Sequence, residues 1–369
     1  MIKVILTTGG TGGHIFPALA VAEELRGRCP EAELLFVGGE YGPEKKLAAQ
    51  AGLEYLGLPV RGFFGRGIKA VGSAAGLARG LATAVKKIRE MRPDLIIGFG
   101  GYAAAASLLA GKLSGVPIMI HEQNSFPGVT NRLMGRLAEK VCISLPEARQ
   151  YFKAEKTVLT GNPVRKSIGR LCWENHPEAP SDAEVRNLLV LGGSQGARAI
   201  NDAVLEDLPL LLDAGFNIRL QTGETDYARV AGAAQGYPAE RVTVSAFIRA
   251  MDEAYSWADL ALCRAGATTV AELAAAALAA VFIPFPTATH NHQYLNARQM
   301  QRAGAALVLE QKELKPGLLG KMLKNLRRQP DTVKAMSAAA FSMAVPDAAE
   351  KVVKTALGII EQGETRCSR

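Results

Sequence analysis

The chain has 369 residues, of which 48% are hydrophobic, 6% aromatic and 21% charged, an ordinary globular composition that excludes a disordered polymer. Its length exceeds what one core usually serves, so two domains are expected. The formal net charge of +8 suits nucleic acid, an anionic membrane surface or a phosphorylated substrate, and by itself selects none of them.

The N-terminus, MIKVILTT, runs straight into a strand, so no signal peptide is expected. Residues 4–8 are an apolar strand that ends in GGTGGH at 9–14, and a helical pattern follows at 18–25 with Pro17 in its first turn. The next strand, 34–37, ends in Gly38 and Gly39. Another, 95–97, ends in GFGG at 98–101 ahead of an Ala-rich helix. A further strand at 116–120 ends in HEQN at 121–124. Strands alternating with helices predict a parallel, doubly wound sheet.

The pattern breaks after GNPVR at 161–165, and residues 173–184 read as a linker or surface loop. It then restarts. A strand at 188–191 leads into GGSQGAR at 192–198 and a helix; a strand at 260–263, Gly266, a helix at 270–277 and a strand at 281–284 follow, and the last helix is expected over 348–360. Both halves open with an apolar strand, a GG-[TS]-x-G turn and a helix, which predicts two Rossmann-like domains.

A strand-to-helix turn made of glycines lets backbone N–H groups approach an anion, and the helix N-terminus behind it favours negative charge. Alone, one such turn is as well explained by helix–strand packing. Three, two of them alike, point to anionic or polyhydroxylated ligands at the carboxyl edges of the sheets. The first turn does not fit G-x-G-x-x-G, because Ile15 or Pro17 stands where the last glycine belongs, and Glu40 lies too far on to read a ribose. No G-x-x-x-x-G-K-[ST] occurs, which argues against a P-loop NTPase. His14, Glu122, Asn124, Arg165, Ser194, Arg264 and Glu272 fall at or just past strand ends, with His292 and Gln293 a little further on. The five cysteines (Cys29, Cys142, Cys172, Cys263, Cys367) are scattered without a C-x-x-C pair and read as buried thiols. No apolar run approaches the ~20 residues that span a bilayer.

GGTGGHIFPALAVAEEL, GFGGYAA, HEQNSFPGVTNR, GNPVR, GGSQGARAIN, FIRAMDEAYSWADLALCRAGATTVAEL and HNHQYLNA, in this order, resemble the successive motifs of the MurG family of bacterial glycosyltransferases, glycosyltransferase family 28. The resemblance implies the GT-B fold: two Rossmann-like doubly wound parallel-sheet domains facing across a cleft. It implies an N-terminal acceptor and membrane-facing domain at 1–163, a UDP-GlcNAc-binding domain at 164–345, and a last helix at 346–369 that returns to the first domain. It further implies inverting transfer of GlcNAc from UDP-GlcNAc to the C4 hydroxyl of MurNAc in undecaprenyl-pyrophosphoryl-MurNAc-pentapeptide, a step of peptidoglycan precursor synthesis, without a bound metal or other cofactor. By the same match Ser194, Ile248, Arg264, Gly266, Ala267, Thr268, Thr269, Val270, Ala271, Glu272, His292 and Gln293 would form the donor pocket, completed by Thr11, Gly12, Gly13, Asn124 and Arg165. Ile248 would meet the uracil edge, Glu272 the ribose hydroxyls and Gln293 the sugar. Tyr102 and Asn131 would lie nearer the acceptor. Ala265 and Ala271 stand where serine is common in the family, Ala279 where a proline is.

Transfer needs a base for the acceptor hydroxyl, stabilisation of the leaving UDP and a sugar held for in-line attack. His14 is the first choice of base and Glu122 the alternative, while Ser194, the turn amides at 193–196 and Arg165 suit the diphosphate. His14 could equally cap its helix or bind the sugar diphosphate. Residues 60–87 interleave Arg61, Arg66, Lys69, Arg79, Lys86 and Lys87 with Phe63, Phe64, Ile68, Val71, Leu77 and Leu81. That mix suits an anionic bilayer surface, here the cytoplasmic face of the cell membrane, as well as an ordinary amphipathic helix. The rival readings are another GT-B UDP-sugar transferase, a UDP-GlcNAc 2-epimerase, or a sugar-nucleotide-binding or membrane scaffold protein; the enzyme reading adds other cell-wall synthesis proteins as partners. No motif or aromatic clustering supports nucleic-acid binding.

Overall fold

The computed structural model describes residues 1–10, 12–60, 70–174, 184–193 and 196–367, except the side chains of 70–75, 289, 364, 366 and 367. The chain divides into two compact units, Met1–Lys166 with Asp347–Arg369, and Ser167–Pro346. Thr11, Ser194, the basic and aromatic residues at 61–69 and most of the expected linker lie outside the described residues.

In the first unit β1 (Lys3–Thr7), β2 (Glu33–Gly39), β3 (Glu54–Leu58), β4 (Leu95–Gly98), β5 (Ile118–Glu122), β6 (Lys140–Ile143) and β7 (Thr157–Leu159) form one parallel sheet in the order β3-β2-β1-β4-β5-β6-β7. Between them run α1 (Gly12–Arg28), α2 (Glu44–Gln50), α3 (Ala70–Met91), α4 (Tyr102–Leu113) and α5 (Val129–Met134). The strand order reverses beside β1, and Thr7 pairs with Gly98, so the turns after β1 and β4 emerge side by side at the carboxyl edge.

The inner strands β1, β2, β4, β5 and β6 are buried on both faces, which is why they read as unbroken apolar runs. Val4 and Leu6 face one core with α1, whereas Ile5 faces the other with Ile96 and α4. Helix α14 (Ala348–Cys367) belongs to the first core, where Val352, Val353, Ile359 and Ile360 are buried beside Val21 and Leu25. A buried Val or Ile stabilises by about 1.5–3 kcal/mol, so these side chains outweigh the exposed Arg28–Glu350 pair (2.6 Å), for which about 0–1 kcal/mol is usual.

The second unit repeats the plan. After α6 (Lys166–Glu174) come β8 (Asn187–Leu191), α7 (Arg198–Asp213), β9 (Asn217–Gln221), α8 (Tyr227–Ala234), β10 (Val242–Ser245), α9 (Met251–Trp257) and β11 (Leu260–Cys263). They are followed by α10 (Ala267–Ala275), β12 (Ala280–Phe282), α11 (His292–Arg302), β13 (Ala306–Val308), α12 (Leu318–Arg327) and α13 (Pro330–Ser342). The strands are parallel, ordered β10-β9-β8-β11-β12-β13, and again reverse beside the strand that carries the glycine turn.

One sequence expectation fails at α1. The helix starts at Gly12 rather than at residue 18, and Pro17 lies inside it. The missing Pro17 N–H would have reached back to residue 13, so the lost bond falls at the beginning of the helix, where its cost is smallest. Cys142, Cys172 and Cys263 are buried free thiols, and Cys29 is half-buried. Burial pushes the Cys142 thiol up to about 12. Among the described residues no helix is long and apolar enough to cross a membrane.

Candidate active site

The first unit gathers three turns. Gly101 (φ 90°) packs its α-carbon against Gly9, so a Cβ there would overlap the Gly9 carbonyl; only glycine allows the β1 and β4 turns to touch. His14 sits in the first turn of α1, and its Nδ1 lies 3.1 Å from the Gly9 carbonyl oxygen. A carbonyl only accepts, so Nδ1 carries the hydrogen and Nε2 the lone pair of the neutral ring. A methyl at Gly100 would lie 3.3 Å from His14 Nε2 and 3.6 Å from Asn131 Nδ2, which places those two nitrogens around the Gly100 α-carbon.

Glu122 is 1% exposed, and both of its oxygens are occupied. Oε1 accepts the Asn124 N–H (2.9 Å) and side-chain amide (3.2 Å); Oε2 accepts the Gly128 N–H (3.1 Å) and the Asn131 amide (2.9 Å). This carboxylate folds the loop at 124–131 around itself, and Asn131 also donates to the His121 carbonyl at 3.1 Å. Tyr102 opens α4 directly behind Gly101. The Arg165 guanidinium stacks 5.0 Å over the Phe16 ring of α1.

His121, which the sequence reading passed over, is fully buried. Its Nε2 donates to the Gly161 carbonyl (3.0 Å), and Nδ1 lies 3.2 Å from the Gln123 amide nitrogen, so it ties the end of β5 to the GNPVR segment. Burial lowers its pKa from 6.5 to about 4. The folded chain therefore resists a proton that the unfolded chain binds. Above pH 6.5 the residue is neutral in both states; as pH falls from 6.5 to about 4, stability declines, and that interval corresponds to about 3 kcal/mol. Denaturant titrations at a series of pH values are expected to show this decline and to lose it in His121→Gln. The same acid decline in both proteins would contradict the assignment.

In the second unit Gly196 (φ 78°) lies against the Thr222 carbonyl, where no Cβ fits, and Gly193 (φ 75°) follows β8. Gln221, the last residue of β9, accepts the Ile248 N–H through Oε1 (2.9 Å), so Ile248 can offer a ligand only its carbonyl along the backbone. The Arg264 guanidinium donates to the Ile283 and Pro284 carbonyls (2.9 and 3.1 Å) and to Gln311 Oε1 (2.8 Å), and stacks 5.4 Å from the Phe285 ring. Burial lowers its pKa. Arg264 thus clasps the segment after β12. Gly266 caps α10, whose N-terminal turn carries Ala267, Thr268 and Thr269, with Val270, Ala271 and Glu272 following. Glu272 is 6% exposed and accepts the buried Tyr255 hydroxyl at 2.9 Å. His292 starts α11, and Gln293 Oε1 accepts the Phe285 N–H at 3.0 Å. Asn296 is fully buried and donates to the Ala265 carbonyl (3.2 Å); Ala265 is likewise fully buried, so a serine hydroxyl there would need an internal partner.

Gln221, Tyr255, His121 and Asn296 are site-forming residues that sequence reasoning missed. His121 alone carried a signal, its place directly after the strand expected at 116–120. Among the described residues no cluster of three His, Cys, Asp or Glu side chains could hold a metal ion.

Residues 4–143 match the glycosyltransferase family 28 N-terminal domain and residues 187–352 its C-terminal domain. The UDP-N-acetylglucosamine–N-acetylmuramyl-(pentapeptide) pyrophosphoryl-undecaprenol N-acetylglucosamine transferase of Nitratidesulfovibrio vulgaris (strain DP4) is 52% identical over 363 residues, which cover 98% of each chain. The transferase of the same name from Geobacter sulfurreducens is 42% identical, covering 95% of this chain and 97% of its own. The crystal structure of Acinetobacter baumannii MurG superposes with a TM-score of 0.76 at 30% identity, over 96% of this chain and 99% of that one. A UDP-GlcNAc 2-epimerase from Neisseria meningitidis, at 12% identity and a TM-score of 0.67, covering 97% of this chain and 100% of its own, shares the fold. Two parallel α/β units with paired glycine turns, matched along nearly their whole length, place this chain in glycosyltransferase family 28, with the MurG-type N-acetylglucosamine transferases.

Proposed function

We propose that this chain is the inverting transferase that moves GlcNAc from UDP-GlcNAc to the C4 hydroxyl of MurNAc on undecaprenyl-pyrophosphoryl-MurNAc-pentapeptide. The observation that carries the chemistry is His14, whose Nδ1 is held on the Gly9 carbonyl, which makes Nε2 the ring nitrogen that would take the proton. The acceptor oxygen attacks C1 of GlcNAc, its proton passes to His14 Nε2, and the C1–O bond to UDP breaks with both electrons leaving on the diphosphate. Attack opposite the leaving group inverts the anomeric carbon. The donor roles fall to the second unit: the turn after β8 and the start of α10 for the diphosphate, Glu272 for the ribose, the Ile248 carbonyl for the uracil edge and Gln293 for the sugar. Arg165 adds a cation from the first unit. Arg264, already clasping carbonyls, supports the pocket wall. Glu122 positions Asn124 and Asn131 and is not the base. A radiolabelled transfer assay with and without EDTA tests this: label should enter the lipid in both, and no labelled lipid would reject the proposal, while loss with EDTA would reject metal-free transfer.

The acceptor's lipid places the enzyme at the cytoplasmic face of the membrane, bound to it peripherally. The supporting feature is the outer face of α3. Its inner side is anchored by the buried Ala84 and Ile88, while Leu81, Ala82 and Val85 line a groove of ≈ 610 Å³ with Leu113, Lys86, Arg89 and Glu90, whose carboxylate lies 4.0 Å from Lys86. Apolar side chains rimmed by cations suit an anionic lipid surface. Binding to anionic vesicles should weaken steeply with salt, and equal binding to neutral vesicles would contradict it. Other cell-wall synthesis proteins would meet the enzyme there.

A further inference from the structure

The first glycine turn contains an anion of its own. Glu44, the first residue of α2, is 1% exposed. Its Oε1 accepts the Gly10 N–H at 2.8 Å and lies 3.4 Å from the Gly39 N–H. Its Oε2 is buried with no hydrogen-bond partner among the described residues, and a Cβ on Gly42 would overlap it. Tyr55 closes the far side, donating to the Gly39 carbonyl at 2.7 Å. Burial first, and then the charges of Glu44 and Glu40, raise the Tyr55 pKa, so the hydroxyl keeps its proton.

A charge-assisted bond to a backbone N–H is among the stronger hydrogen bonds. In other glycine turns that amide is what a phosphate would take. Here a carboxylate from a neighbouring turn takes it, and its charge repels a second anion arriving at the same place. The Gly10 bond also fixes the chain one residue beyond Gly9, whose carbonyl holds His14.

We propose that Glu44 is a positioning and specificity residue: it locks the first glycine turn so that His14 stays seated on Gly9, and it keeps phosphate groups off the Gly10 amide. This inference rests on the proposed transfer for the meaning of His14, but its anion-exclusion half does not.

The first arm uses the unaltered protein and inorganic pyrophosphate. Amide hydrogen exchange at Gly10 should be slow and unchanged by millimolar pyrophosphate. Slowing of that amide by pyrophosphate would overturn the proposal, whatever the enzyme's activity. The second arm uses Glu44→Gln and Glu44→Ala. Both should gain pyrophosphate inhibition at least tenfold tighter than the unaltered enzyme, competitive with the lipid acceptor, and both should lose kcat with little change in the KM for UDP-GlcNAc. Glu44→Asp should recover part of each effect. A variant that is less stable but keeps the original pyrophosphate inhibition constant would show a purely structural role and overturn the proposal. If the variants do not fold, the hydrogen-exchange arm decides. If no transfer is seen in any form, pyrophosphate binding measured by calorimetry still separates the failure of this inference from failure of the proposed function.

Discussion

Replacing His14 by alanine is expected to lower the turnover of GlcNAc transfer by about 10²–10⁴-fold, the usual contribution of a positioned general base. UDP-GlcNAc affinity, measured by calorimetry, should hold, because the donor roles assigned to the second unit do not involve this ring. The alternative role, a helix cap, predicts something different. Losing the bond to Gly9 alone removes about 1 kcal/mol of stability and leaves the chemistry largely intact. His14→Asn separates the two, since its amide can still donate to the Gly9 carbonyl but cannot take a proton. If His14 is the base, Asn is as inactive as Ala. Near-normal turnover in either variant would remove His14 from the reaction.

The second large effect is expected at Glu122. Alanine there leaves the Asn124 and Gly128 N–H groups and two side-chain amides without their acceptor, which should destabilise the first unit by about 3 kcal/mol or more. Glutamine keeps one acceptor oxygen but turns a donor toward donors, so it should also destabilise. Activity should fall with folding, and the acid limb of the pH–rate profile should stay where it was. A stable Glu122→Gln enzyme that has lost that limb would make Glu122 the base and contradict the anchoring role drawn from its four hydrogen bonds.

The architecture was legible because its signals are local. Apolar runs ending in glycine mark buried parallel strands, and the likeness of the two glycine turns announced two similar units, which appear as two parallel sheets. The start of α1 was misread because GGTGGH looks like a turn throughout, whereas glycine also tolerates the helical region from residue 12 onward. The roles of polar residues were less legible, since they depend on partners far along the chain. Arg264 was expected in the donor pocket, and its clasp on Gln311, 47 residues away, appears only in the fold. Nothing in the sequence marks Glu44, because its partner Gly10 is 34 residues earlier. Ile248 was chosen from its motif, but the N–H it loses to Gln221 can be read only from the pairing of β9 and β10, which brings the two segments together.

The fold is shared with a UDP-GlcNAc 2-epimerase solved with UDP-GlcNAc bound, so the fold does not separate transfer from epimerisation. The most direct test is therefore to follow UDP-GlcNAc consumption by the purified chain with and without undecaprenyl-pyrophosphoryl-MurNAc-pentapeptide. The account predicts that UDP appears only when the lipid is present, in one-to-one yield with a β1,4-linked GlcNAc–MurNAc lipid. Acceptor-independent conversion of UDP-GlcNAc, or UDP release without a disaccharide product, would contradict it.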